Sequence, residues 1–107
     1  MEKEQRAHGR KALRAEAEVA DVLGNTWGKV ELLDVSQSGL AFLSPGEFGA
    51  GASRMVRFTL PNANTPLHML CRVVHCTPHS FLSGYRVGTA IVRIEEADAQ
   101  ALAHFLA

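Results

Sequence analysis

Two short patterns in this chain of 107 residues carry groups able to grip a small charged molecule. The first is Arg6-Ala7-His8-Gly9-Arg10, an R-x-x-x-R with two guanidinium groups near the chain start. A guanidinium is a planar, permanently charged fork of donors that pairs bidentately with phosphate and stacks on flat rings. The second is Asp34-Val35-Ser36-Gln37-Ser38-Gly39, a D-x-S-x-x-G. An ionised Asp only accepts hydrogen bonds, so Asp34 suits a ligand edge made of donors. Ser36 can add a hydrogen bond and can shape the turn through its own backbone. Gly39 permits a backbone conformation, or a close ligand approach, that a Cβ would obstruct. Taken singly, the arginines read as a solvated basic tail and Asp34-x-Ser36 as a turn cap. A cap, however, can also present its carboxylate outward.

The elements that must position these groups follow from hydrophobic periodicity. Residues 1–11 lack it and read as a mobile arm. In 12–20, Leu13, Ala15, Ala17 and Val19 alternate with Arg14, Glu16 and Glu18, the period of a half-buried strand. Gly24-Asn25 is turn chemistry, and residues 28–34 make a second strand, which ends on Asp34. A short apolar run, Leu40 to Leu43, stops at Ser44-Pro45-Gly46. Residues 54–60 put Val56, Phe58 and Leu60 inward; 67–77 put Leu67, Met69, Cys71 and Val73 on one face; 84–94 put Tyr85, Val87, Thr89 and Ile91 on one face. Six strand candidates at short spacing predict an all-β antiparallel barrel or sandwich. The tail changes period: in 96–106, Leu102, Phe105 and Leu106 fall at helical spacing behind the acidic Glu95, Glu96 and Asp98. This helix is expected to lay those three residues against the barrel.

Composition bounds the function. A mass of 11.6 kDa is one domain's worth, with little interior to spare for a catalytic cavity. Hydrophobic residues at 47% and charged residues at 21% fit a soluble globule. No apolar run is long enough to span a bilayer, and Met-Glu-Lys-Glu-Gln-Arg is no signal peptide, so the expectation is a cytoplasmic protein without membrane insertion. Eleven basic residues balance eleven acidic ones, which argues against general DNA or RNA binding. The charge is uneven all the same: residues 1–14 hold five cations against two anions, and 95–107 hold three anions and no Lys or Arg. A basic arm on a neutral body suits a small anionic ligand better than a long polyanion.

In this order, with a strand pattern between the motifs and Gly84-Tyr85-Arg86-Val87-Gly88-Thr89-Ala90-Ile91 before a closing helix, the chain resembles the PilZ domain family, bacterial receptors for cyclic di-GMP. The resemblance covers nearly the whole chain. It implies a six-stranded antiparallel barrel, here 12–107 with its helix at about 96–106, that binds the dinucleotide on its outer surface while the arm of 1–11 folds over the ligand. Arg6 and Arg10 match the arm motif; Asp34, Ser36 and Gly39 match the strand-end motif. Many members carry another Arg directly before the first motif Arg. Here that position is Gln5, which leaves one bound ligand or an intercalated pair open. The chemistry agrees with this ligand: guanine offers O6 and N7 to a guanidinium, and N1–H and N2–H to Asp34, an edge adenine lacks. With no fused output domain in the sequence, the implied partner is a separate, unidentified effector chain. The alternative is the same barrel as a protein–protein adaptor that binds no nucleotide.

Other residues invite chemistry less well. His68, Cys71, His75, Cys76 and His79 suggest zinc, but their spacing fits no standard knuckle, and alternation puts His75 and Cys76 on opposite faces. Cys71 reads as a small core hydrophobe. Five positions from it, Cys76 would sit about 16 Å away along a strand and on the opposite face, too far to bridge. Two unpaired thiols fit a reducing compartment. Arg72 and His75, if outward-facing, would border the ligand. Trp27 reads as a loop aromatic over a barrel end, or as a partner surface. There is no G-x-S-x-G, no P-loop and no oriented Cys/His dyad, so the chain reads as a binder needing no cofactor or metal, and not as an enzyme.

Overall fold

A computed structural model describes residues 9–79 and 83–107. The alternating segments become six strands: β1 (Lys11–Ala20), β2 (Gly28–Val35), β3 (Gly39–Ser44), β4 (Ser53–Phe58), β5 (Leu67–Pro78) and β6 (Tyr85–Ile94), followed by the helix α1 (Glu96–Leu106). All pairings are antiparallel, and the order β1-β2-β3-β6-β5-β4 closes on itself through β4 and β1. Closure leaves none of the six strands at a free sheet edge, although β1 meets β4 only through Ala17–Ala20.

The inward faces of the strands meet in one core. Leu32, Val35, Leu40, Phe42, Val56, Met69, Val73 and Val87 are fully buried there. The helix follows β6 directly and sends Leu102 into the same cluster, with Phe105 and Leu106 half buried against it. Its far end is tied to the start of β1: Lys11 Nζ donates to the Phe105 carbonyl at 3.3 Å and lies 4.5 Å above the Phe105 ring. Antiparallel order puts the start of β1, the end of β2 and the start of β3 at one end of the barrel. The root of the leading segment, the D-x-S-x-x-G turn and the last turn of α1 therefore gather in one place.

The period of two is broken where the registers slip. Between β2 and β3 the slip falls between Leu32 and Asp34; between β5 and β6 slips fall at Leu70/Cys71 and at Val73/His75. Each is a bulge, one extra residue that reverses which side chains face in. The bulge on β5, with Val74 as its extra residue, corrects one expectation. Strict alternation sets Cys71 and Cys76 on opposite faces, but the extra residue brings both to the core side: Cys71 is buried and Cys76 packs half-buried against the core cluster.

Burial pushes the Cys71 thiol up to about 11, partly offset by a hydrogen bond with Thr89. The thiolate is the reactive form. At pH 8 iodoacetamide should therefore leave Cys71 unmodified in the native protein and alkylate it after unfolding in urea, as read by peptide mass spectrometry. Equal labelling in both states would contradict this packing.

Candidate functional site

The turn between β2 and β3 is built by Ser36. Its backbone N–H donates to the Gly39 carbonyl at 2.8 Å. Its hydroxyl accepts from the N–H of Ser38 at 3.2 Å and of Gly39 at 3.1 Å, and donates to the Gly39 carbonyl at 3.2 Å. Ser36 is 1% exposed, so the hydroxyl is spent on holding the turn and not offered to solvent. The turn is also stitched to β6, where the Ile91 N–H donates to the Ser38 carbonyl at 2.8 Å.

Gly39 has a different reason for being glycine. It faces Ala90 across the β3–β6 ladder, and a Cβ there would collide with the backbone oxygen of Thr89. The close approach it allows is of one strand to another. Backbone cannot swing aside as a flexible side chain would, so β3 would have to move off β6.

Asp34 depends on the β2 bulge. Val30 and Leu32 are core residues, and continued alternation would send Asp34 inward after them. The extra residue at Leu33 lets Val35 take the core position while Asp34 faces out, its side chain 19% exposed. There it meets two cations. Arg10 Nη1 donates to Asp34 Oδ1 at 2.5 Å, and Arg86 Nη2 lies 3.6 Å from Oδ2. Arg86 reaches over from β6, which is remote from Asp34 in sequence. The structure thus brings Arg10, Asp34, Ser36 and Gly39 together, whereas Arg6 lies outside the described residues. Arg86 is the residue that motif reading missed. Its alternation with Val87 marks it as outward, but only the β3–β6 pairing puts it beside the carboxylate.

The surface around Asp34 is a floor of small residues. Successive ladder partners run from Ala12 on β1 through Asp34, Ala41 and Gly88 to His75 on β5. The next row holds Gly39, Ala90 and Arg72. Residues paired across antiparallel strands share a face, so these side chains line one outer surface. Both Arg72 and His75 are exposed on it. A recess of about 320 Å³ opens beside it, among Gly9, Arg10, Lys11, Gln37 and Leu106. A larger recess of about 610 Å³ lies toward the other barrel end, by Arg14, Glu31, Ser44 and Tyr85. None of Arg10, Asp34 and Arg86 lines it, and Arg14 pairs with Glu31 at 2.8 Å.

The remaining polar candidates have structural partners. Trp27 is roofed by the Arg57 guanidinium, 3.8 Å above its ring, and Arg57 Nε donates to Glu18 at 2.6 Å. His68 meets the Trp27 ring edge-on, and its backbone N–H donates to Asp98 on α1. Among the described residues, no three of His, Cys, Asp and Glu converge as metal ligands.

Comparison with known proteins agrees with this architecture. A sequence model described as the PilZ domain matches residues 4–107. The chain belongs to the PilZ family. Comparison with curated proteins returns no match. Among solved structures, Bacillus subtilis inhibitor of motility (MotI/DgrA) superposes with a TM-score of 0.81 at 16% identity over 96% of this chain; the chain spans about half that protein's length, 49%. The PilZ domain of Escherichia coli YcgR with c-di-GMP gives 0.74 at 12% identity, covering 96% of this chain and 89% of that one. The Klebsiella MrkH–c-di-GMP complex gives 0.73 at 12%, covering 94% and 50%. At such identities the likeness establishes the fold of this PilZ chain. No helix among its described residues is long and apolar enough to cross a membrane.

The packing at the turn makes a direct prediction. Gly39→Ala should cost about 1–3 kcal/mol, the usual penalty for overpacking, and lower the melting midpoint by several degrees. A variant that melts with the wild type would contradict the assigned strand contact.

Proposed function

We propose that this PilZ domain is a receptor for cyclic di-GMP. The observation that carries the reading is the outward carboxylate of Asp34, already contacted by Arg10 from the segment before β1. Arg10 and Arg6 grip the ligand through phosphate and guanine O6/N7, and Asp34 accepts from the N1–H and N2–H of one guanine. Ser36 and Gly39 serve by shape: one locks the turn that ends β2, the other lets β3 lie close to β6.

The Arg10–Asp34 pair suits exchange. The Arg10 side chain is 55% exposed, and pairs this open are worth about 0–1 kcal/mol. Trading it for charge-assisted contacts to a doubly anionic ligand therefore costs little. Arg86 is fixed to the barrel and holds the other carboxylate oxygen while Arg10 moves. With ligand bound, the segment before β1 folds across the barrel face and changes the surface shown to a separate effector protein. Nothing in this scheme calls for catalysis, a cofactor or a metal. Structures of YcgR and MrkH in complex with c-di-GMP on the same fold support the ligand class.

Calorimetric titration tests the reading. Wild-type protein should bind cyclic di-GMP saturably at micromolar concentration, whereas Arg10→Ala and Asp34→Ala should show no heat at the same concentrations. Both variants should keep a cooperative melt, because each change is at the surface. Unchanged affinity in either variant contradicts the site, and no binding by the wild type favours the adaptor alternative.

A further inference from the structure

β5 carries the same device as β2. Val73 is in the core, so regular alternation would send Val74 out and His75 in. The register slip against β6 falls between Val73 and His75, which leaves Val74 and His75 both outside and turns Cys76 inward. Bulges often re-aim a side chain beside a binding site. Here two bulges, on strands that are not neighbours, turn out Asp34 and His75 into one and the same cross-strand row. Three strand spacings separate them, roughly 14 Å along the sheet. Between them in the row lie Ala41, which is buried, and Gly88, over which the His75 ring lies, so neither adds a side chain longer than a methyl.

Gly88 explains how the imidazole sits. Its φ lies outside the left-handed region, so backbone conformation does not demand glycine there. Space does: a Cβ would run into the His75 ring, with Nε2 2.7 Å and Nδ1 2.9 Å from its position and Cε1 nearer still. Three ring atoms at such similar distances mean that the ring turns its face, not its edge, to the glycine. One face of the imidazole thus rests on backbone, and the residue remains exposed, so the opposite face looks to solvent.

We propose that His75 is a stacking platform of this site, carrying one purine of the ligand on its open face while Asp34 reads the edge of the other. The inference rests on the receptor reading and adds a contact from β5 that neither sequence motif contains. A flat ring already seated on backbone loses little freedom when a base settles on it, and every base has a π-face to offer.

The test is calorimetric titration of full-length wild type, His75→Ala and His75→Phe with cyclic di-GMP, each with a melt recorded without ligand. Stacking on an aromatic is worth roughly 5- to 100-fold in affinity. His75→Ala should weaken binding by that factor, and His75→Phe, which keeps a ring but no polar atom, should stay within about threefold of wild type. His75→Ala at wild-type affinity overturns the platform alone. Equal loss in both variants also overturns it, because a hydrogen bond and not a ring face would then be at work; the ligand-free melts show whether either loss comes from unfolding. A wild type that does not bind overturns both the platform and the receptor reading.

Discussion

A strand shows its side chains alternately to two faces, and the strand that carries Asp34 has committed Val30 and Leu32 to the core. An ionised carboxylate continuing that series would be carried into an apolar interior, at a cost of several kcal/mol unless it were paired or protonated. The single extra residue at Leu33 removes the conflict. It restores the hydrophobic series at Val35, leaves Asp34 outside, and feeds the chain into the turn that Ser36 closes. The geometry of the binding surface depends on that irregularity. Without it, Arg10 and Arg86 would have no common partner, and the outer row from Ala12 to His75 would lack its one acid.

The barrel's topology supplies the rest. Because β3 pairs with both β2 and β6, a residue near the chain end, Arg86, stands beside a motif from its first third. Because β1 starts where β2 ends, the segment carrying Arg10 emerges beside the carboxylate. Lys11, the next residue, holds the last turn of α1 through the Phe105 carbonyl and ring. Three parts of the chain with separate folding reasons thus meet at one barrel end. Each contact there is individually weak and exposed, which suits a surface that must rearrange around a ligand. The buried polar groups, Ser36 and Thr89, are by contrast held by backbone: Thr89 Oγ1 donates to the Leu40 carbonyl at 2.9 Å. The turn is thus held by buried bonds to backbone, and its surroundings by exposed ion pairs.

Much of this was legible in the sequence, since period is a local property. The alternation of Leu67, Met69, Cys71 and Val73, or of Val56 and Phe58, follows from their types, and those residues line the core. The switch to helical spacing put Leu102 inward, where it lies. A bulge leaves no such trace, because one added residue changes neither composition nor mean hydropathy. For that reason Cys76 was expected on the wrong face, and the orientation of His75 stayed conditional. Long-range pairing was equally hidden. Gly39 and Gly88 are distinctive residues in the sequence, but that one clears the Thr89 oxygen and the other the His75 ring emerges only once β6 lies between β3 and β5. Arg86 belongs with them, its outward direction readable and its neighbour not.

The central claim is that an outward acid reads the donor edge of guanine, and discrimination between two ligands of equal charge addresses it without altering the protein. Wild-type protein should be titrated in parallel with cyclic di-GMP and cyclic di-AMP at the same salt concentration. The phosphates are common to both, so charge attraction alone would give similar affinities. Saturable binding of the guanine ligand with none, or far weaker binding, of the adenine ligand is the result this account predicts. Equal binding of the two would contradict it.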